Sequence, residues 1–99
     1  MIIVAGYFRV APTDRAAFLE HRRASILRSR GEKGCHAYAM SPDPLDPGLV
    51  NLYERWETEE DLAAHAAANR ANPRPPDGFE ILESELLRYE IVKVSPLGG

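Results

Sequence analysis

The sequence predicts an α+β fold, a four-stranded antiparallel sheet carrying two helices on one face, and three observations predict it. Four segments of strand length are rich in β-branched and aromatic residues or alternate in polarity. Two longer segments show helical spacing with capping residues at their starts. The segments follow one another as strand, helix, strand, strand, helix, strand, which is the ferredoxin-like βαββαβ order.

Residues 2–10 form the first predicted strand, with Ile2, Val4, Gly6, Phe8 and Val10 on one face and Ile3, Ala5, Tyr7 and Arg9 on the other. Both faces are largely apolar, so helices should cover one and a partner subunit or ligand cavity the other. Pro12-Thr13-Asp14 then predicts a helix start, with Thr13 as cap, and Gly31 predicts its end after Arg30. Ala16, Leu19, Ile26 and Leu27 share a stripe of this helix that also contains Arg23, while Arg15, Arg22 and Arg28 are expected in solvent. Arg23 either lays its alkyl stem over the core edge or pairs with a buried carboxylate or substrate anion.

Residues 34–40 read as a second strand, separating Cys35, Ala37 and Ala39 from His36, Tyr38 and Met40, and residues 49–56 read as a third. The Pro- and Asp-rich loop at 41–48 makes them an antiparallel hairpin. Thr58 followed by Glu59, Glu60 and Asp61 is a strong helix start, and the alanine-rich helix should end near Asn72, before the proline cluster. Residues 79–85 suggest one or two further helical turns and 86–94 a last strand. Helices on one side only leave an apolar sheet face uncovered, a liability that packing against a second copy removes.

Ninety-nine residues predict one domain over 1–99, with a core small enough that self-association helps it. The apolar run 1–8 is far short of the roughly 20 residues a membrane helix needs, and no basic leader precedes it. A formal charge of −3 argues against nucleic-acid binding, although six of the twelve basic residues lie between Arg15 and Lys33. Cys35 is the only cysteine, so the chain forms no internal disulfide and needs no oxidising compartment; its strand position makes it a packing residue. His21, His36 and His65 lack metal-ligand spacing, and no phosphate-cradling glycine loop or Gly-x-Ser-x-Gly elbow is present.

The residues that remain as chemistry candidates cluster in the third strand and second helix. Glu54 and Trp56 share a strand face, placing a carboxylate beside a large aromatic wall. Either Trp56 is core and Glu54 pairs across the sheet, or Trp56 lines a pocket for a flat substrate and Glu54 handles a proton. His65 is either a satisfied, half-buried side chain or a proton shuttle, and His36 and Tyr38 admit the same two readings.

Glu32-Lys33-Gly34-Cys35, the 41–47 turn and above all the run from Tyr53-Glu54-Arg55-Trp56 through Ala63-Ala64-His65 resemble the antibiotic biosynthesis monooxygenase domain. The most specific part is Glu-x-Trp, a helix start, and a histidine nine residues after the tryptophan. The resemblance implies a cytoplasmic, dimeric α/β barrel, commonly an oxygenase with no metal or flavin of its own. Such enzymes oxidise anthrone-like polyketides or quinols, which pass an electron to oxygen once deprotonated, so the protein mainly holds, desolvates and deprotonates them. Here the implied roles are proton transfer by His65 and Glu54, and substrate binding by Trp56, Tyr7, Tyr38, His36 and Arg23, with molecular oxygen as co-substrate and no cofactor. The alternative is a non-catalytic, small-molecule-binding or structural dimer of the same fold. Asn51 lies on the opposite strand face from Trp56, so the asparagine of the polyketide oxygenases has no counterpart. Haem-degrading relatives use a first-strand asparagine and a histidine after the second helix; this chain has Tyr7 and no histidine beyond His65, which disfavours haem. The proline-rich stretch 70–78 is expected to reshape or cover a pocket mouth.

Overall fold

The computed structural model describes residues 1–73 and 77–98. In it β1 (Ile2–Arg9), α1 (Arg15–Arg30), β2 (Cys35–Pro42), β3 (Leu49–Trp56), α2 (Glu59–Ala71) and β4 (Glu83–Glu90) follow in the predicted order. All strand pairs are antiparallel and lie side by side as β2-β3-β1-β4, so the most apolar strand, β1, is central. Gly6 allows its outer neighbour to come close: a Cβ there would lie 1.8 Å from the Glu85 carbonyl oxygen.

Register places Ile2 beside Trp56, Val4 beside Glu54 and Phe8 beside Val50 on the helix-bearing face. Two buried clusters fill the space under the helices. Ile2, Tyr38, Leu52 and Trp56 form one, with Leu62 of α2 packed on it; Val10, Phe18 and Val50 form the other. On the opposite face Ala5 sits between Tyr53 and Leu87, and Ile3 between Arg55 and Tyr89. No described element covers that face, and Tyr53, Leu87 and Tyr89 are exposed.

The second helix starts as predicted, with the Thr58 side chain accepting from the Asp61 amide at 3.1 Å and three acids in the first turn. Such a cap contributes about 1 kcal/mol. The first helix differs. Its cap position is Asp14, not Thr13, and no side-chain oxygen caps it, because 12–14 make a turn whose Asp14 amide bonds to the Ala11 carbonyl.

Its buried stripe is also rotated from the predicted one, to Phe18, Arg22 and Ser29, leaving Leu27 exposed. Arg22, expected in solvent, lies over the Phe18 ring at 4.5 Å and donates to Asp77 at 3.0 Å. The Phe79 amide and then Arg22 hold the Asp77 carboxyl below its ordinary range. A charge can sit in the stripe because a carboxylate 55 residues away in sequence meets it, and hydropathy alone cannot register that. Arg15 is likewise engaged, donating to the Asp43 and Asp46 carbonyls of the loop after β2 and to the Leu49 carbonyl at the start of β3.

Residues 77–82 contain no helix; Phe79 packs edge-on against Phe18 with ring centroids 5.9 Å apart. The last strand begins at Glu83 and ends at Glu90, earlier at both ends than predicted, because its eight residues match the eight of β1. Residues 74–76, the middle of the stretch expected to cover a pocket mouth, lie outside the described residues.

Candidate active site

Three of the sequence candidates meet at the junction of β3 and α2. Trp56 is fully buried and donates its indole N–H to Glu54 Oε1 at 2.9 Å. The His65 ring lies over the Trp56 ring with centroids 4.7 Å apart and planes inclined by 36°. His65 Nε2 is 4.0 Å from Glu54 Oε1, and the Tyr38 ring centroid lies 5.5 Å from that of the imidazole. The two-residue period of β3 turns Glu54 and Trp56 to one face, and α2 has no other buried residue than His65. The alanine-rich helix therefore docks on the sheet through an imidazole on an indole, helped by Leu62.

Three residues to which the sequence reading gave no role in the site complete the cluster. Gly34 has φ +78°, and a Cβ there would strike the Asp61 carboxylate, so only glycine lets the loop after α1 run this close to α2. That approach brings Glu32 Oε1 to 2.6 Å from His65 Nδ1. On the other side Asn69, one helical turn beyond His65, reaches Nε2 with its amide nitrogen at 3.2 Å, and its oxygen accepts from Arg28 of α1. Arg28, expected in solvent, is thus part of the cluster. The signal for Asn69 was its i+4 spacing from His65; Glu32 carried none, since no local period links it to residue 65.

Glu54 is 6% exposed. Burial, the largest influence, pushes its carboxyl above the ordinary carboxylate range, the Trp56 hydrogen bond and His65 pull it back, and Glu32 adds to the rise. A carboxyl displaced in this direction, with an imidazole within 4.0 Å, is suited to accept and pass on a proton.

The other candidates are not gathered here. A bulge after Cys35 turns that residue toward Trp56 with Tyr38 and Met40, and leaves His36 outside the ladder, exposed and bonded to Glu57. The face assignment of Cys35 and the grouping of His36 with Tyr38 are corrected accordingly. Burial raises the Cys35 thiol, in keeping with packing rather than nucleophilic work. Tyr7 sits on the opposite sheet face and donates to Glu83. Arg23 is exposed and 3.7 Å from Glu20.

Arg23 does border a groove of about 620 Å³ between α1 and the β2 edge, with Arg15, Leu19, Arg30 and Leu27 along its walls and Ile26 and Met40 at its floor. A smaller hollow of about 390 Å³ lies along the outer edge of β2 and touches Cys35, His36 and Tyr38. Trp56, Glu54 and His65 line neither; Ile26 and Met40, which pack on the Trp56 cluster, separate it from the larger groove. Among the described residues no group of three or more His, Cys, Asp or Glu could hold a metal ion, and no helix is long and apolar enough to cross a membrane.

The chain is 30% identical over 64 residues to an uncharacterised protein of Synechocystis sp., a match that takes in 65% of this chain and 44% of that relative's length. In three dimensions it is similar to a candidate antibiotic biosynthesis monooxygenase of Deinococcus radiodurans, with TM-score 0.74, 18% identity and 100% of both chains covered. It is also similar to one from Nitrosomonas europaea, with TM-score 0.74, 22% identity, and 94% of this chain and 100% of that one covered. The haem degrader MhuD of Mycobacterium tuberculosis has TM-score 0.75 at 13% identity, over 97% of this chain and 100% of that one. These structures share the fold. The family described as antibiotic biosynthesis monooxygenase matches residues 1–71, which include β1 through α2 and the whole Glu54–Trp56–His65 cluster, and the chain belongs to that family.

Proposed function

We propose that the protein is a cofactor-independent monooxygenase that oxidises an electron-rich aromatic, a quinol or an anthrone-like polyketide, with molecular oxygen. The observation that carries this reading is the buried Glu54 carboxyl, raised by burial and held between the Trp56 indole and His65. Glu54 takes a proton from the substrate, and the resulting carbanion or phenolate gives electrons to oxygen. For an anthrone the methylene carbon becomes a hydroperoxide, which loses water to leave the quinone, so one O2 yields one carbonyl oxygen and one water. The substrate enters by the groove beside α1, where Arg23 meets an anionic edge and the adaptable Met40 side chain swings aside to expose Tyr38 and Trp56. The small hollow with His36 contributes secondary contacts, while Tyr7, on the opposite sheet face and donating to Glu83, lies outside the entry path. A cytoplasmic setting suits the single unpaired Cys35.

Oxygen uptake with a panel of anthrones and hydroquinones tests this. Turnover above the buffer rate for at least one compound is expected, and buffer rates throughout would sink the reading. A second reading, a binding or structural dimer without catalysis, is favoured by the closure of the Trp56 cluster from both hollows. Turnover that disappears in both Trp56 and His65 variants would exclude it.

Haem breakdown does not fit these residues. Both ring nitrogens of His65 are engaged, by Glu32 and Asn69, and Tyr7 of β1 points to the other side of the sheet. Titrated haem should show no shifted Soret band.

We also infer a homodimer formed through the open sheet face, whose Ile3, Ala5, Tyr53, Leu87 and Tyr89 form an apolar surface with no covering element among the described residues. Sedimentation should give a mass near twice 11.0 kDa; a monomer at micromolar concentration would contradict this.

A further inference from the structure

The imidazole of His65 is held from both sides by groups whose donor and acceptor roles are determined one after another. A guanidinium only donates, so Arg28 requires the oxygen of the Asn69 amide to face it. The Asn69 nitrogen then faces His65 Nε2 as a donor at 3.2 Å, which requires a lone pair on Nε2. Nδ1 consequently carries the hydrogen, and it points at the Glu32 carboxylate 2.6 Å away. The chain Arg28, Asn69, His65, Glu32 thus runs from cation to anion with every hydrogen aimed the same way. Trp56, Tyr38 and Glu54 lie within 4.0–5.5 Å of the ring.

We propose that Asn69 and Glu32 are positioning residues that hold His65 as the neutral Nδ1–H tautomer, so that Nε2 receives the proton Glu54 has taken from substrate. This rests on the reading of Glu54 as the base. The Glu54 carboxyl passes its proton to Nε2 across the 4.0 Å gap as the Asn69 amide yields. Glu54 returns to carboxylate, and the imidazolium is balanced by the Glu32 carboxylate facing Nδ1. The imidazolium returns the proton to the substrate peroxide, so His65 ends each cycle in the tautomer it began with. Without Glu32 only Glu54 would balance the imidazolium formed beside Trp56 and Tyr38, and without the Asn69 donor Nε2 would have no partner that demands a lone pair.

Nitrogen-15 spectroscopy of histidine-labelled protein, with His65 assigned through a His65→Gln variant, reads the tautomer without any reaction. Wild-type protein at a pH where the ring is neutral should show a protonated Nδ1 and an unprotonated Nε2 for His65. Asn69→Asp replaces the donor facing Nε2 by an acceptor, and Nε2 should become protonated. In that variant kcat should fall about tenfold or more while KM changes less than about twofold, because substrate contacts are untouched. An Nε2–H tautomer or an even mixture in the wild type would overturn the proposal. So would an Asn69→Asp protein with Nε2 protonated and kcat unchanged. If the wild type shows the Nδ1–H tautomer but no substrate is oxidised, the failure belongs to the oxygenase reading and not to the hydrogen-bond chain.

Discussion

Trp56→Ala should destabilise the protein by about 3–5 kcal/mol, a large share of the roughly 5–15 kcal/mol that holds a domain of this kind folded. The indole is fully buried against Ile2, Tyr38 and Leu52, and α2 rests on it through His65. Removing the ring therefore opens a cavity in the main cluster, strips Glu54 of its hydrogen-bond donor and takes away the platform of a helix that has no other buried residue. Urea unfolding followed by circular dichroism should show the midpoint falling sharply with little change in slope. A loss below about 1 kcal/mol would mean that the cluster is not the core. Trp56→Phe keeps most of the ring volume but leaves the buried Glu54 without its donor, at a cost of about 1–3 kcal/mol, so the two variants separate packing from hydrogen bonding.

Glu54→Gln should have the largest effect on activity, lowering oxygen uptake by about 10²–10⁴-fold, the range associated with losing a positioned general base. The same substitution should raise stability at neutral and alkaline pH. Burial raises the Glu54 carboxyl above its unfolded value, so between those two values the folded protein keeps a proton that the unfolded chain releases. Wild-type stability from this group is intact below about pH 4.3, the unfolded value, and declines as pH rises through the folded one. Glutamine has no proton to lose, and its amide oxygen still accepts from Trp56. Melting temperatures of the two proteins should therefore coincide near pH 4 and separate by pH 8, with the variant higher. A variant less stable at pH 8 would show that the buried carboxylate is favourably solvated, which would remove the physical basis for its role as a base.

Local physics made much of this legible from the sequence. Thr58 with its three acids marks the start of α2, the alternation of 49–56 puts Glu54 and Trp56 on one face, and the nine-residue step from Trp56 brings His65 back over the indole. What could not be read depended on partners far away in the chain. Arg22 is buried because Asp77 reaches it, and Glu32 meets His65 because Gly34 bends the chain in a conformation open to glycine. The bulge beside His36 breaks the alternation that had grouped it with Tyr38, and no residue type in 34–40 announces it. The ends of β4 follow from the length of β1 rather than from its own alternation, which continues past Glu90 into residues with no strand to pair with.

Proton removal by Glu54 can be measured apart from oxygen chemistry. An anthrone incubated with the protein in deuterated buffer without oxygen exchanges its methylene hydrogens only as fast as they are removed, and mass spectrometry or proton magnetic resonance follows the exchange. The wild type should accelerate exchange well above buffer, and folded Glu54→Gln should return it close to the buffer rate. Exchange no faster than buffer with the wild type, or equal acceleration by Glu54→Gln, would contradict the assignment of Glu54 as the base.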